Sequence, residues 1–438
     1  MSTRGSLLRI LGMAFGIAVV VGGMVGQGIF RTPGIIAAAV HSPGLILSLW
    51  VMGALLAGIN AFAYVELGTA IPCAGGTYDF VRRAFGPLAG VVTGWGAWLI
   101  LVTLEAFLGI VVAEFLQRLG VFSHIHPSVV AIGVIIIFSG LNWTSTRVAG
   151  DSQIIFSAVK GAALIALIIL LFARPASGAP PSAVEMGGPI GIAALAAAMR
   201  QVINTYNGWD EVVYFGEEMK APERTLPRAV GTGIASVAIL YLLVNVALLK
   251  VLTPAQMAGS KLVAADAVKL VAGATGELVL TIFALISVAA ITNLAIMKSA
   301  RISFALARAG QLPSKLGEVA PSGIPRWALA ASSVLAIGFA ATGTYETVVA
   351  MNVAVGLVVV IAVNLSAIRL RRSEPDLPRP FRMPWFPLPP LISIALNAAL
   401  LAALIYDDPR HSLAGLFALA VVAVAYFVIG HRPEAQAA

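Results

Sequence analysis

The chain has 438 residues, yet only one cysteine, five histidines and 11% charged side chains, and each shortage closes off a class of function. The single Cys73 excludes an intramolecular disulfide framework and any multi-cysteine metal centre. His41, His124, His126, His411 and His431 fall in predicted loops or at helix ends, so a haem, zinc or redox membrane enzyme would lack its ligands. No metal and no cofactor are expected. No nucleophile and base suggest themselves as a pair, and an enzyme is not expected. The net charge of +8 is spread over loops rather than gathered in a patch, which argues against a nucleic-acid partner.

What the chain has in excess is hydrophobic sequence, at 59% of residues. Apolar runs of about 20 residues mark membrane-crossing helices. Twelve are read here, at 10–40, 45–70, 88–117, 128–142, 153–173, 189–217, 229–251, 277–304, 327–343, 346–368, 388–406 and 412–430. The fold class is therefore an all-α polytopic membrane protein with the lipid bilayer as its solvent. The first segment has no small-residue cleavage site and is too long for a signal peptide, so it is expected to be retained. Alternate loops carry Arg82 and Arg83; Arg147; Lys220, Arg224 and Arg228; Arg308, Lys315 and Arg326; and Arg369, Arg371, Arg372, Arg379 and Arg382. The other loops and helix ends hold Arg31, Arg118, Arg174, Lys250, Lys261, Lys269 and Arg410. By the positive-inside rule the first set is cytoplasmic, with both termini inside the cell (inner) membrane.

Two segments are interrupted. In the first, Val25-Gly26-Gln27-Gly28-Ile29-Phe30 places two glycines where an unbroken helix is expected; in the sixth, Asn204-Thr205-Tyr206-Asn207-Gly208-Trp209-Asp210 does the same with polar groups. Backbone groups left unpaired at bilayer depth are tolerated where they line a cavity. Breaks in helices one and six point to two five-helix units of inverted topology, 8–173 and 189–371, followed by an accessory hairpin at 388–430. The whole of 1–438 then forms a single transmembrane domain. Asp79 to Phe85 reads as a short amphipathic helix at the interface, 253–273 as a re-entrant lid, and Arg369 to Pro390 as a linker. Helices 11 and 12 hold few polar residues and read as packing or oligomer helices, which leaves a homo-oligomer open.

Unwinding at Gly26 to Gly28 presents the N-terminus of an outer half-helix, whose free N–H groups and positive dipole end suit a carboxylate. The inner half-helix ends near Val25 and exposes carbonyls, and Asn204 to Asn207 expose more; such acceptors suit an ammonium group. A free α-amino acid carries both. Glu105, Lys160, Arg200 and Asp210 are ionisable residues inside predicted spans and should face the interior. Lys160 reads as a cation beside the first break. Glu105 is open between pairing with Arg200, carrying a proton and meeting a substrate side chain. Lys298 and Arg301 are expected to snorkel to the interface. Tyr206 and Trp209 are read as gating or packing aromatics.

These motifs resemble those of the amino acid-polyamine-organocation superfamily. Gly26-Gln27-Gly28-Ile29-Phe30 is similar to its G-[SA]-G-I-F break, and Gly208-Trp209 with Glu217-Glu218 through Pro227-Arg228 is similar to its G-W-[ND] and E-E-x-x-x-P-x-R-x-[IL]-P signatures. Further matches are Ile71-Pro72 with Ala74-Gly75-Gly76, Arg301 to Pro313, and Arg379-Pro380-Phe381 with Pro384, with the closest flavour that of L-type-like bacterial amino acid permeases. The resemblance implies a secondary amino acid transporter working by alternating access through five-plus-five inverted repeats. It implies that Gln27, Gly28 and Ile29 bind the substrate carboxylate, and that Met24, Val25, Asn204 and Asn207 receive its amino group. Gly26, Tyr206 and Gly208 complete the substrate-binding set, with Lys160, Trp209, Asp210 and Glu105 in gating or coupling. Lys160 matches a lysine that replaces a structural sodium in sodium-independent members, which favours exchange or proton coupling. Gln27, Asn204, Asn207 and Asp210 depart from the usual residues and make the site more polar. A polyamine or cationic amino acid antiporter stands as the alternative, and a non-transporting nutrient sensor as a third reading.

Overall fold

The structure is a computed structural model that describes residues 7–26, 28–173, 191–260, 262–342 and 345–428. Gln27, Arg174, Lys261 and His431 lie outside the described residues. The architecture is helical throughout, and the backbone pairs in extended fashion at one bridge, Leu11 with Met219. In chain order the helices are α1 (Met13–Met24), α2 (Gly28–Val40), α3 (Pro43–Ala70), α4 (Thr77–Phe85), α5 (Pro87–Arg118), α6 (Pro127–Thr144), α7 (Thr146–Ala173) and α8 (Ile192–Thr205). They continue as α9 (Pro222–Val251), α10 (Pro254–Ala258), α11 (Val263–Arg308), α12 (Arg326–Thr342), α13 (Tyr345–Ser373), α14 (Leu388–Asp407) and α15 (Pro409–Val428). Short 3₁₀ turns occupy Glu211–Phe215 and Ser314–Gly317.

The starts of these helices follow from local chemistry. Pro43, Pro87, Pro127, Pro222 and Pro254 each stand in a first helical turn, where the missing N–H costs nothing and the fixed φ suits a helix. At α10 a full capping box adds to this: the Thr253 hydroxyl accepts from Gln256 N, and the Gln256 side chain accepts from Thr253 N at 2.8 Å. Gly273, at φ +65°, bends α11 into a short first arm and a long membrane helix from Leu278.

Among the described residues nine helices are long and apolar enough to cross a membrane, and α1 with α2, bent by 42° at their junction, make a tenth crossing if counted as one span. α12 is shorter, at 17 residues, and α8 shorter still, at 14. Residues 7–11, 71–76, 144–147, 214–222, 308–326 and 369–383 gather on one face of the bundle, tied by Leu11 N to Glu218 O, Thr146 N to Ser322 O and Arg83 to Glu374. It is called the N-terminal face below. The opposite face carries the α5–α6 loop and α10, and there Lys250 donates to the Phe172 carbonyl at 2.7 Å.

The stretch 369–390 joins the end of α13, which runs on to Ser373, to α14, and it is anchored: the buried Glu66 of α3 receives Arg371, Arg379 and the Met383 N–H. A buried carboxylate has to be paired, and three donors from this stretch meet that need. One sequence expectation needs correcting: Lys298 and Arg301 do not snorkel. Both are buried and bound to carboxylates, as the next section describes.

Candidate functional site

The first break is held open from the side. α1 ends at Met24, and Val25 turns to extended geometry, leaving the last carbonyls of a helix C-terminus unpaired at depth. Lys160 of α7, completely buried, donates to Gly22 O at 2.7 Å and Val25 O at 2.8 Å. Its positive charge lies where the helix dipole is negative. Ser287 of α11 gives Val25 O a second donor at 3.2 Å. The Tyr241 hydroxyl donates to Met24 O at 2.7 Å and lies 3.3 Å from Thr205 O, so one side chain touches both interrupted segments. The Met24 and Val25 carbonyls expected to face an amino group are thus already engaged by protein donors.

The second break follows α8. The helix stops at Thr205, residues 206–210 turn, and Glu211–Phe215 resumes as a 3₁₀ turn rather than an α-helix. Gly208 has φ +106°, and a Cβ there would lie 2.6 Å from the Gly23 carbonyl carbon; one at Gly23 would lie 2.8 Å from Gly208 O. Glycine at both positions lets the two backbones cross in contact. On the other side, Thr32 of α2 and Thr205 share a hydrogen bond of 2.9 Å.

Above the crossing lies a cavity of about 1090 Å³. It runs from the breaks to Arg118 and Leu119 at the opposite face. Of the residues singled out from sequence, Met24, Gly26, Gly28, Asn204, Asn207 and Gly208 line it, as does Arg31. Val25 and Ile29 are buried behind the wall. Tyr206 packs between Trp50 and Tyr241, and Trp209 packs edge-on against Tyr64, so neither aromatic forms the wall. Asp210 and Lys160 also lie behind it. Glu105 is completely buried in α5 beside Ser299, and among the described residues neither of its oxygens has a hydrogen-bond partner, Arg200 included.

Towards the N-terminal face the path is closed by charge. Lys298 meets Glu211 at 2.9 Å, Arg301 meets Glu218 at 2.6 Å, and Arg308 meets Glu217 at 2.8 Å. Three bases of α11 thereby hold three carboxylates of the segment that follows the second break. Arg301 also stacks over Phe215, 4.6 Å from its ring centroid. Beyond these pairs a smaller cavity of about 790 Å³, lined by Cys73, Asp79, Arg82 and Arg308 among others, faces out. Here burial pushes the Cys73 thiol well up, with the Asp79 charge adding to the effect, and burial raises Asp79 as well.

Sequence reasoning missed Tyr241, Ser287 and Glu211. Glu211 carried the same signal as its neighbour Asp210, an acidic residue at membrane depth. The two acids at 217 and 218, set against the bases at 301 and 308, offered a further clue in their opposite signs.

Comparison with known proteins gives the family. The family model described as amino acid permease matches residues 11–429. The chain is 28% identical to the large neutral amino acids transporter small subunit 2 of Mus musculus, over 98% of this chain and 83% of that one. It is 27% identical to the b(0,+)-type amino acid transporter 1 of Mus musculus, over 92% of this chain and 84% of that one. To the Asc-type amino acid transporter 1 of Mus musculus it is 30% identical, over 73% and 62%. A helical bundle with two interlocked breaks, matched almost end to end by one family model, has one assignment: the chain belongs to the amino acid permease family.

Proposed function

We propose that this chain moves neutral α-amino acids across the cell membrane, independently of sodium. The observation that carries the reading is the pair of interlocked breaks at the base of the large cavity. The free N–H groups at the start of α2 face the substrate carboxylate, with Gly26 and Gly28 allowing close approach. Asn204, Asn207 and Gly208 bound the opposite side. The wall beyond is apolar, formed by Leu104, Phe107, Leu108, Ala284, Val288 and Ile291, which suits an uncharged side chain. Names of the relatives specify amino acids, large neutral ones in the first case, and this wall supports carrying that class over.

Sodium independence rests on Lys160. Its ammonium occupies the Gly22 and Val25 carbonyls that would otherwise be free to coordinate a cation. The N-terminal face carries the larger share of Arg and Lys and is taken as cytoplasmic, so the cavity opens outward and both termini lie inside. Counting the broken sixth segment and α12 brings the crossings to 12, with 8–173 and 189–371 as inverted units and 388–430 as the added hairpin. α1 runs away from the N-terminal face and the sixth segment runs towards it, which supports the inversion. Transport is then exchange or proton symport, and the buried, unpaired Glu105 is the residue through which a proton would enter the second scheme.

Uptake of a panel of labelled amino acids and diamines into proteoliposomes tests this, with and without sodium and with and without internal amino acid. Uptake of neutral amino acids at equal rates in sodium and choline buffer is the expected result. Diamine uptake without amino acid uptake would refute it, and stimulation by internal amino acid distinguishes exchange from net symport.

A further inference from the structure

Glu211 stands at the floor of the large cavity, immediately after the second break. One carboxylate oxygen, Oε1, is held by Lys298 at 2.9 Å. The other, Oε2, has no hydrogen-bond partner among the described residues, although the side chain is only 12% exposed. A Cβ on Gly23 would lie 2.7 Å from Oε2, so only glycine there lets α1 pass this close to the carboxylate. An acceptor withdrawn from water and left unfilled is costly, and a ligand that fills it regains that cost on binding.

The charge pattern of the cavity says which ligand. Among the described residues its charged wall side chains are Arg31 and Arg118, which reach towards the mouth, and Glu211 at the floor. An anion is thus favoured above and a cation below. Two of the backbone acceptors nearby do not compete for the cation, since Met24 O is taken by Tyr241 and Val25 O by both Lys160 and Ser287. We propose that Glu211 is a substrate-contacting carboxylate whose free oxygen receives a primary ammonium group, while Lys298 fixes the other oxygen in place. The inference rests on the amino acid reading above and assigns the ammonium half of its recognition to a side chain.

The experiment compares, in proteoliposomes of the full chain, inhibition of labelled amino acid uptake by L-alanine, L-leucine, L-lysine and 4-methylpentanoate. The last is leucine without its amino group. If the wild-type protein takes up none of the amino acids, the functional reading fails before any variant is made. Glu211→Gln is expected to weaken inhibition by L-leucine about 10- to 100-fold while changing inhibition by 4-methylpentanoate less than about twofold, so that the preference for the amine collapses. Glu211→Asp keeps the charge on a side chain one methylene shorter, and is expected to lose only part of that preference. Equal losses for L-alanine, L-leucine and L-lysine assign the oxygen to the α-ammonium; loss confined to L-lysine assigns it to a side-chain ammonium. Parallel changes for leucine and 4-methylpentanoate, or wild-type preference in both variants, would overturn the proposal.

Discussion

The two ends of the pathway are built of different materials. On the N-terminal side, Glu211, Glu217 and Glu218 are clasped by Lys298, Arg308 and Arg301 of α11. On the opposite side, the described contacts around the cavity are a hydroxyl pair, Thr32 with Thr205, and an edge-to-face ring contact at 5.2 Å between Phe30 and Phe283. The difference matches what each end has to do. Ion pairs drawn out of water are expensive to break singly, yet each partner is hydrated once the path opens, so a charged seal is firm and reversible. An apolar contact such as that of Phe30 with Phe283 is made instead by burying surface and needs no exact partner to do so. Between them Lys160 and Tyr241 hold the breaks themselves, and they belong to neither closure.

The sharpest way to break this comparison is at its centre. Lys160→Ala removes the donor from Gly22 O and Val25 O and is expected to reduce uptake more than about 100-fold with normal expression and a normal gel-filtration profile. Unchanged uptake kinetics in that variant would show that the carbonyls can be satisfied without it. Next in size is Arg301→Ala. It strands Glu218, which is fully buried, and should destabilise the protein by about 3–5 kcal/mol, read as a lowered midpoint of thermal unfolding in detergent. Arg308→Ala removes the same kind of pair where the arginine is 47% exposed, and less than about 1 kcal/mol should follow. Similar losses from the two arginine variants would mean that burial does not set the strength of the seal.

Much of this arrangement was legible in the sequence because membrane depth makes it conspicuous. Glycines inside an apolar run marked both breaks, and the position of Lys160 beside the first was readable from its place in the fifth predicted span. The ladder was not. Lys298 and Arg301 lie near a helix end, where long side chains ordinarily reach water, and only the fold brings the acids at 211 and 218 opposite them. Tyr241 was hidden for a related reason: a tyrosine in an apolar helix is common, and its hydroxyl acquires meaning only from the two carbonyls it meets. Tyr206 and Trp209 were open in the sequence between gating and packing, and only the fold shows their rings packed into the core against Trp50, Tyr241 and Tyr64.

The smallest expected effect uses the one cysteine to watch the charged seal directly. Cys73 is half-buried on the lesser cavity, beyond the ion pairs, and its thiol lies 3.9 Å from the Gly76 carbonyl. Because the thiolate is the reactive form and burial with the Asp79 charge raises the thiol, alkylation by a small maleimide at pH 7 should be slower than for a free thiol. The sign of the pH dependence follows: the rate keeps rising with pH beyond the range where an ordinary thiol levels off. Arg308→Ala removes a lining residue of the same cavity and frees Glu217, so it should speed alkylation only modestly, about two- to fivefold. Arg301→Ala, which loosens the buried pair behind it, should exceed that. The reverse order would place the controlling part of the seal at its exposed end rather than at Glu218.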